Sequence, residues 1–289
     1  MLKQKTRKPK FGLRVLKQEI MKYLTCLLLL LFFSIQLYSQ KITIKDASTQ
    51  ENIDYAVIKD LKTKKRILTD SIGDINLSKD APIVISCLGF LDKTIQHPFQ
   101  KDVIYLRPKT QTLQQVTLTD KPKINQEYGF HNAKKRSFQI SNVEKKFYPS
   151  VYIDNPEINN EGKIYKIFLK LKSKKNAQVR LHLYSFDREN GKIQKEILNK
   201  NSILKIDNTR KTREIDISDL NLSFPKNGLL IAIELLENTD SIEIAIGDSD
   251  KNVGQTFYVN PTNLDQPISI PMGNNKLSYM FGLSVLRTK

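Results

Sequence analysis

Beyond residue 40 the hydrophobic and polar positions alternate with a period of two. In Lys163–Lys172, Tyr165, Ile167, Leu169 and Leu171 share one face, while Lys166, Lys170 and Lys172 share the other. Val179, Leu181 and Leu183 point one way in the next segment, leaving Arg180, His182 and Tyr184 together on the opposite side. Ile215 with Ile217, the set Ile242, Ile244 and Ile246, and Leu277 through Leu286 repeat the pattern. Leu229–Ile233 is apolar at every position, which predicts a central strand buried on both faces. Turns rich in Asn, Asp, Gly and Lys separate these runs, as at Asn190-Gly191, and no long 3.6-period stretch occurs. The pattern predicts an all-β chain built of antiparallel sandwiches.

The first 40 residues are of another kind. Eight basic residues against Glu19 precede Leu24–Ile35, a dozen-residue apolar run. That run is short for a membrane span, which needs about 20 residues, and suits the core of a secretory signal. Residues 1–40 therefore read as leader and signal peptide, with Met21 an alternative start and cleavage near Ser39 or Gln40. Seven of the 17 net positive charges of this 289-residue chain lie in that leader. Cys26 falls within it, so Cys87 stands alone in the mature chain and reads as a small buried hydrophobe. A polar, Pro-containing stretch at 119–126 reads as a linker between domains 41–118 and 127–289.

Several stretches of the first domain carry a family resemblance. They are Tyr55-Ala56-Val57-Ile58; the turn Thr69-Asp70-Ser71-Ile72-Gly73-Asp74; Ile83–Leu88 running into Gly89-Phe90; Ile104–Pro108; and Leu113–Leu118. In this order they resemble the carboxypeptidase regulatory-like domain, a prealbumin-like sandwich of exported bacterial proteins. Thr69, Asp70, Gly73, Gly89 and Phe90 are its fold-defining positions here. The sequence departs from the family in Ile75, Gln115 and the lack of a Gly opening the first strand. The resemblance implies a non-catalytic module, with no cofactor. The strand layout of 127–289 resembles a jelly-roll-like sandwich.

Candidate chemistry adds little. There is no G-x-S-x-G, no P-loop, no G-x-G-x-x-G and no H-E-x-x-H. His97, His131 and His182 lack a second ligand at metal-site spacing. Asp248–Gly254 opens like a calcium loop, but its Gly falls one place late and Val259 occupies the twelfth position. Lys runs such as Lys62–Arg66 and Lys172–Lys175 read as hairpin tips, and dispersed charge in an exported chain argues against a nucleic-acid partner. Arg180, His182 and Tyr184 remain as a candidate ligand-binding patch on a strand face. The chain thus reads as an exported, non-enzymatic binding or scaffolding protein of the periplasm or outer membrane. Its expected partner is an envelope glycan or an outer-membrane receptor, and it has no membrane span in the mature chain. The alternative is an accessory or degenerate enzyme module in peptide or glycan breakdown.

Overall fold

A computed structural model describes residues 21–22, 39–78, 82–96, 102–109, 123–133, 135–141, 147–157, 159, 162–236, 241–248, 254–261, 263–270 and 277–288. The apolar run at 24–35, His97, Leu113–Leu118, the start of the linker and most of the calcium-like string lie outside these residues. Among the described residues no helix is long and apolar enough to cross a membrane.

The first seven strands are β1 (Ser39–Asp46), β2 (Val57–Asp60), β3 (Arg66–Leu68), β4 (Asp74–Ser78), β5 (Ile83–Ser86), β6 (Lys93–Ile95) and β7 (Val103–Leu106). They make a three-stranded sheet, β4-β1-β7, and a four-stranded sheet, β3-β2-β5-β6. The alternate residues Ile42 and Ile44 of β1, Ile58 of β2, Ile85 of β5 and Leu106 of β7 fill the space between them. Cys87 belongs to the same core as a free, buried thiol, and burial pushes its pKa up to about 11.

The Thr69–Gly73 turn fixes the entry to β2. Thr69 accepts the Ala56 amide on its hydroxyl at 2.8 Å and donates its own amide to the Ala56 carbonyl at 2.9 Å. Asp70 accepts the amides of Ile72 and Asp74 on its carboxylate, and its carbonyl accepts the amides of Gly73 and Tyr55. Gly73 has φ 76°, and a Cβ there would lie 2.8 Å from the Ile53 carbonyl oxygen and 2.9 Å from that of Ile44.

Fourteen further strands follow: β8 (Lys123–Gly129), β9 (Lys135–Ser141), β10 (Tyr148–Ile153), β11 (Gly162–Lys172), β12 (Ala177–Asp187), β13 (Lys192–Glu196), β14 (Ile203–Ile206), β15 (Lys211–Asp216), β16 (Leu229–Leu235), β17 (Ser241–Asp248), β18 (Gly254–Asn260), β19 (Asn263–Ile270), β20 (Leu277–Tyr279) and β21 (Phe281–Thr288). One sheet runs β13-β12-β16-β10-β18-β19, with β14 also on β12. The other runs β20-β17-β11-β21-β8, with β15 on β11 and β9 on β17. The class is all-β and the arrangement sandwich-like. Leu229–Ile233 lies in β16, between β12 and β10, and is fully buried.

Three local expectations change. Residues 123–126, assigned to the linker, begin β8 and pair with β21 from Thr288 back to Val285. They are polar because β8 is an edge strand, and edge position gives them the composition of a linker. A β-bulge between Ile164 and Lys166 shifts the phase of β11, so Ile164 enters the core in place of Tyr165. Lys172–Lys175 is not a hairpin tip, since β11 and β12 belong to different sheets and the run crosses between layers.

Gly73 and Gly191 form a matched pair for testing this backbone. Both have positive φ, but nothing lies within 4 Å of a Cβ built on Gly191. Gly191→Ala should cost about 1–2 kcal/mol for the left-handed backbone alone. Gly73→Ala should cost at least about 1 kcal/mol more by urea unfolding, because the added methyl meets two carbonyl oxygens. Equal costs would show that the Gly73 turn is not crowded.

Candidate functional site

The expected patch on β12 is assembled, but it is not on the surface. Val179, Leu181 and Leu183 enter the core between the two large sheets. Arg180, His182 and Tyr184 share the other face as expected, yet they are 3%, 8% and 3% exposed. The reason is long-range. The sheet β13-β12-β16-β10-β18-β19 curls until its edge strands β13 and β19 approach one another. The enclosed face has its own apolar cluster, including Tyr152, Phe186, Leu230, Ala232 and Phe257.

Register brings charge to charge inside this curl. Arg180 pairs across the strand with Glu234 of β16, and His182 with Ala232. The Arg180 Nη1 donates to Glu234 Oε2 at 2.9 Å. His182 Nε2 lies 3.3 Å from the same oxygen, and its Nδ1 lies 2.9 Å from Glu196 Oε2. Tyr148 donates its hydroxyl to Glu234 Oε1 at 2.9 Å, and Glu196 Oε1 accepts the Leu183 amide at 2.8 Å. The imidazole stacks between the rings of Tyr148 and Tyr184, at 5.0 and 5.6 Å between centroids.

Two cations and two carboxylates thus neutralise one another out of water, the condition under which burying charge is tolerable. Burial opposes a charged His182, but Glu196 and Glu234 outweigh it and hold the imidazole up at about 9. Burial likewise pushes the Glu234 carboxyl up, and the hydrogen bond from His182, the charge of Arg180 and the Tyr148 hydroxyl bring it down to about 2. A protonated imidazole between two carboxylates has no free lone pair, so His182 cannot act as a base in this state.

The same cluster joins the two sandwiches. Arg180 Nη2 donates to the carbonyl of Tyr55, the residue before the Thr69-anchored Ala56. Tyr55 is held at φ 51°, a left-handed backbone unusual for an aromatic residue. Beside it, Asn201 donates to the Asp54 carbonyl at 3.0 Å. At Gly89, φ 89°, a Cβ would lie 2.4 Å from the Asn199 carbonyl oxygen, so only glycine fits against the 197–202 segment. Leu88 of the first sandwich packs against the core of the second, while Phe90 packs on its own core. Thr69, Asp70, Gly73 and Gly89 therefore shape the loops that meet the second sandwich.

No family model and no curated protein matches this chain. Among solved structures, it is similar to one of infectious bursal disease virus, Gt strain, at 12% identity and a TM-score of 0.25. That alignment covers 87% of this chain and 60% of the viral one. A T13 particle of that virus gives 9% identity and a TM-score of 0.23, over 86% and 58% of the two chains. T=1 particles derived from it give 10% and 0.24, over 87% and 63%. The chain spans about 60% of the length of these neighbours. At such scores the likeness ends at strand-rich architecture.

Glu234, Glu196 and Tyr148 complete the cluster, and alternation within β12 does not point to them. Glu234 did leave a signal, as a lone acid in the apolar run Leu229–Leu236. His131 has a separate place, with Nε2 3.0 Å from Glu127 and its ring stacked 4.2 Å from that of Phe168. Among the described residues, no three acidic, His or Cys side chains are grouped to hold a metal.

Two predictions follow from the burial of the cluster. Arg180→Met leaves Glu234 with a weakened partner set and should cost about 3–5 kcal/mol by urea unfolding. Arg180→Met with Glu234→Met should recover part of that loss; a double variant as unstable as the sum of the singles would contradict the pairing. The pH dependence has a definite sign. His182 titrates higher folded (about 9) than unfolded (6.5), so its contribution is complete below about 6.5 and disappears as pH rises through 9. Glu234 titrates lower folded (about 2) than unfolded (4.5), so its contribution is complete above about 4.5 and disappears as pH falls through 2. His182→Gln should flatten the alkaline limb of the stability profile; an unchanged limb would place the imidazole proton elsewhere.

Proposed function

We propose that the chain is an exported, non-enzymatic protein of the bacterial envelope, periplasmic or associated with the outer membrane. In this reading a carboxypeptidase regulatory-like sandwich is mounted on a jelly-roll-like one, and the pair serves as a scaffold or binding component. The observation that carries the reading is the junction. The side chains best suited to chemistry, Arg180, His182, Glu196 and Glu234, are turned inward on one another and onto the Tyr55 loop. They serve to hold two modules together.

The family assignment of the first module has support from its strands. Ala56-Val57 leads into β2, Thr69–Gly73 joins β3 to β4, Ile83–Ser86 is β5, and Ile104–Leu106 falls in β7. These four motifs contribute to one two-layer sandwich with one core, while Leu113–Leu118 lies outside the described residues. A glycan partner would use a surface other than Arg180, His182 and Tyr184, because those groups are enclosed.

The reading predicts that the chain recovered from the cell envelope begins near Ser39–Lys41 by N-terminal sequencing. A chain there that still begins at Met1 or Met21 would contradict the export assignment. The purified protein should leave peptide and ester substrates at their uncatalysed rates, and turnover that disappears with Glu234→Gln would overturn the non-enzymatic assignment.

A further inference from the structure

The β2–β3 hairpin carries Lys59, Lys62, Lys64, Lys65 and Arg66, all of them exposed. Its one acid, Asp60, directs a carboxylate oxygen at its own turn and accepts the amides of Lys62 and Thr63 at 2.7 and 2.8 Å. Among the described residues, none of the five cations forms an ion pair. Two features of this hairpin work against its own stability. Lys59 lies directly opposite Arg66 across the strand pair, and like charges so placed repel. Lys64 occupies φ 60°, a backbone that glycine or asparagine adopts at lower cost. Ile67, paired with the buried Ile58 at the edge of the sheet, faces away from Lys59 and Arg66 and leaves their face wholly cationic.

We propose that this hairpin is an interaction surface for the phosphate-bearing headgroups of an anionic membrane. The cations spread over a turn and one strand pair, which suits a field of charge at an interface. Clusters of four to eight Lys and Arg side chains attract anionic bilayers in this way. A single nucleic-acid strand fits less well, because no aromatic residue between Lys59 and Ile67 offers a stacking surface. The inference rests on the hairpin alone and stands or falls separately from the export assignment.

The leader is itself basic and apolar, so the test needs a local readout on the full chain. Amine acetylation of Lys62, Lys64 and Lys65, mapped by mass spectrometry, is compared with that of exposed Lys192 on the β12–β13 hairpin. Vesicles of phosphatidylglycerol with phosphatidylcholine should slow modification of the hairpin lysines about fivefold or more relative to pure phosphatidylcholine, with Lys192 unchanged. About 0.5 M salt should remove the protection. Lys64→Gly relieves the left-handed lysine, so it should keep or raise Tm while reducing protection of Lys62 and Lys65. Equal modification with both vesicles would overturn the proposal. So would full protection by about 10 mM inorganic phosphate alone, which would mark a discrete anion site, or stronger protection by a single-stranded oligonucleotide than by vesicles at equal phosphate.

Discussion

A guanidinium inside an apolar sheet must be neutralised, and the rest of this molecule is arranged around that requirement at Arg180. Its neighbour strand supplies Glu234 in register, and Tyr148 and His182 share the two oxygens of that carboxylate. His182 in turn needs a second acid, which β13 provides as Glu196. Arg180 also reaches out of its own sandwich, its Nη2 donating to the Tyr55 carbonyl of the other. That carbonyl is presented by a turn whose geometry is set by Thr69 and Asp70, with Gly73 closing it. A motif that organises the first sandwich thereby decides where the second one sits.

The junction is polar for a physical reason. Two sandwiches meeting through apolar faces can slide, since hydrophobic contact has little direction. An arginine fork must find its acceptors at fixed distances and angles, and losing one leaves a buried donor unsatisfied. Such a cluster adds little net stability compared with apolar packing, but its bonds to Glu234 and Tyr55 are made only when the two modules meet in this register. Gly89 acts in the same sense sterically, because its lack of a Cβ permits the 197–202 segment to approach the first sandwich. The balance of two cations and two carboxylates also makes the joint tolerant of the pH range between the Glu234 and His182 titrations.

The strands themselves were legible because each is a local pattern. Val179, Leu181 and Leu183, and every residue from Leu229 to Ile233, fall in apolar cores as their spacing requires. Alternation also grouped Arg180, His182 and Tyr184 on one face. It could not show that this face is enclosed, because the curl that brings β13 toward β19 depends on residues far apart in the chain. Polar residues at every second position read as solvated unless an opposite charge is recognised in a neighbouring strand, and Glu234 was that charge. The bulge at Tyr165 was invisible for a simpler reason: the apolar alternation continues through it unchanged. The start of the edge strand β8 reads as linker because exposed edges and linkers share a polar composition.

The Arg180–Tyr55 contact should make the two sandwiches behave as one cooperative unit. Native-state hydrogen exchange measures this directly, through the opening free energies of amides in β2 and β5 against those in β12 and β16. The slowest amides of both sandwiches should share one opening free energy and fall together when denaturant is added. Slow amides of β2 and β5 that exchange through a separate, lower-energy opening while β12 and β16 stay closed would contradict it.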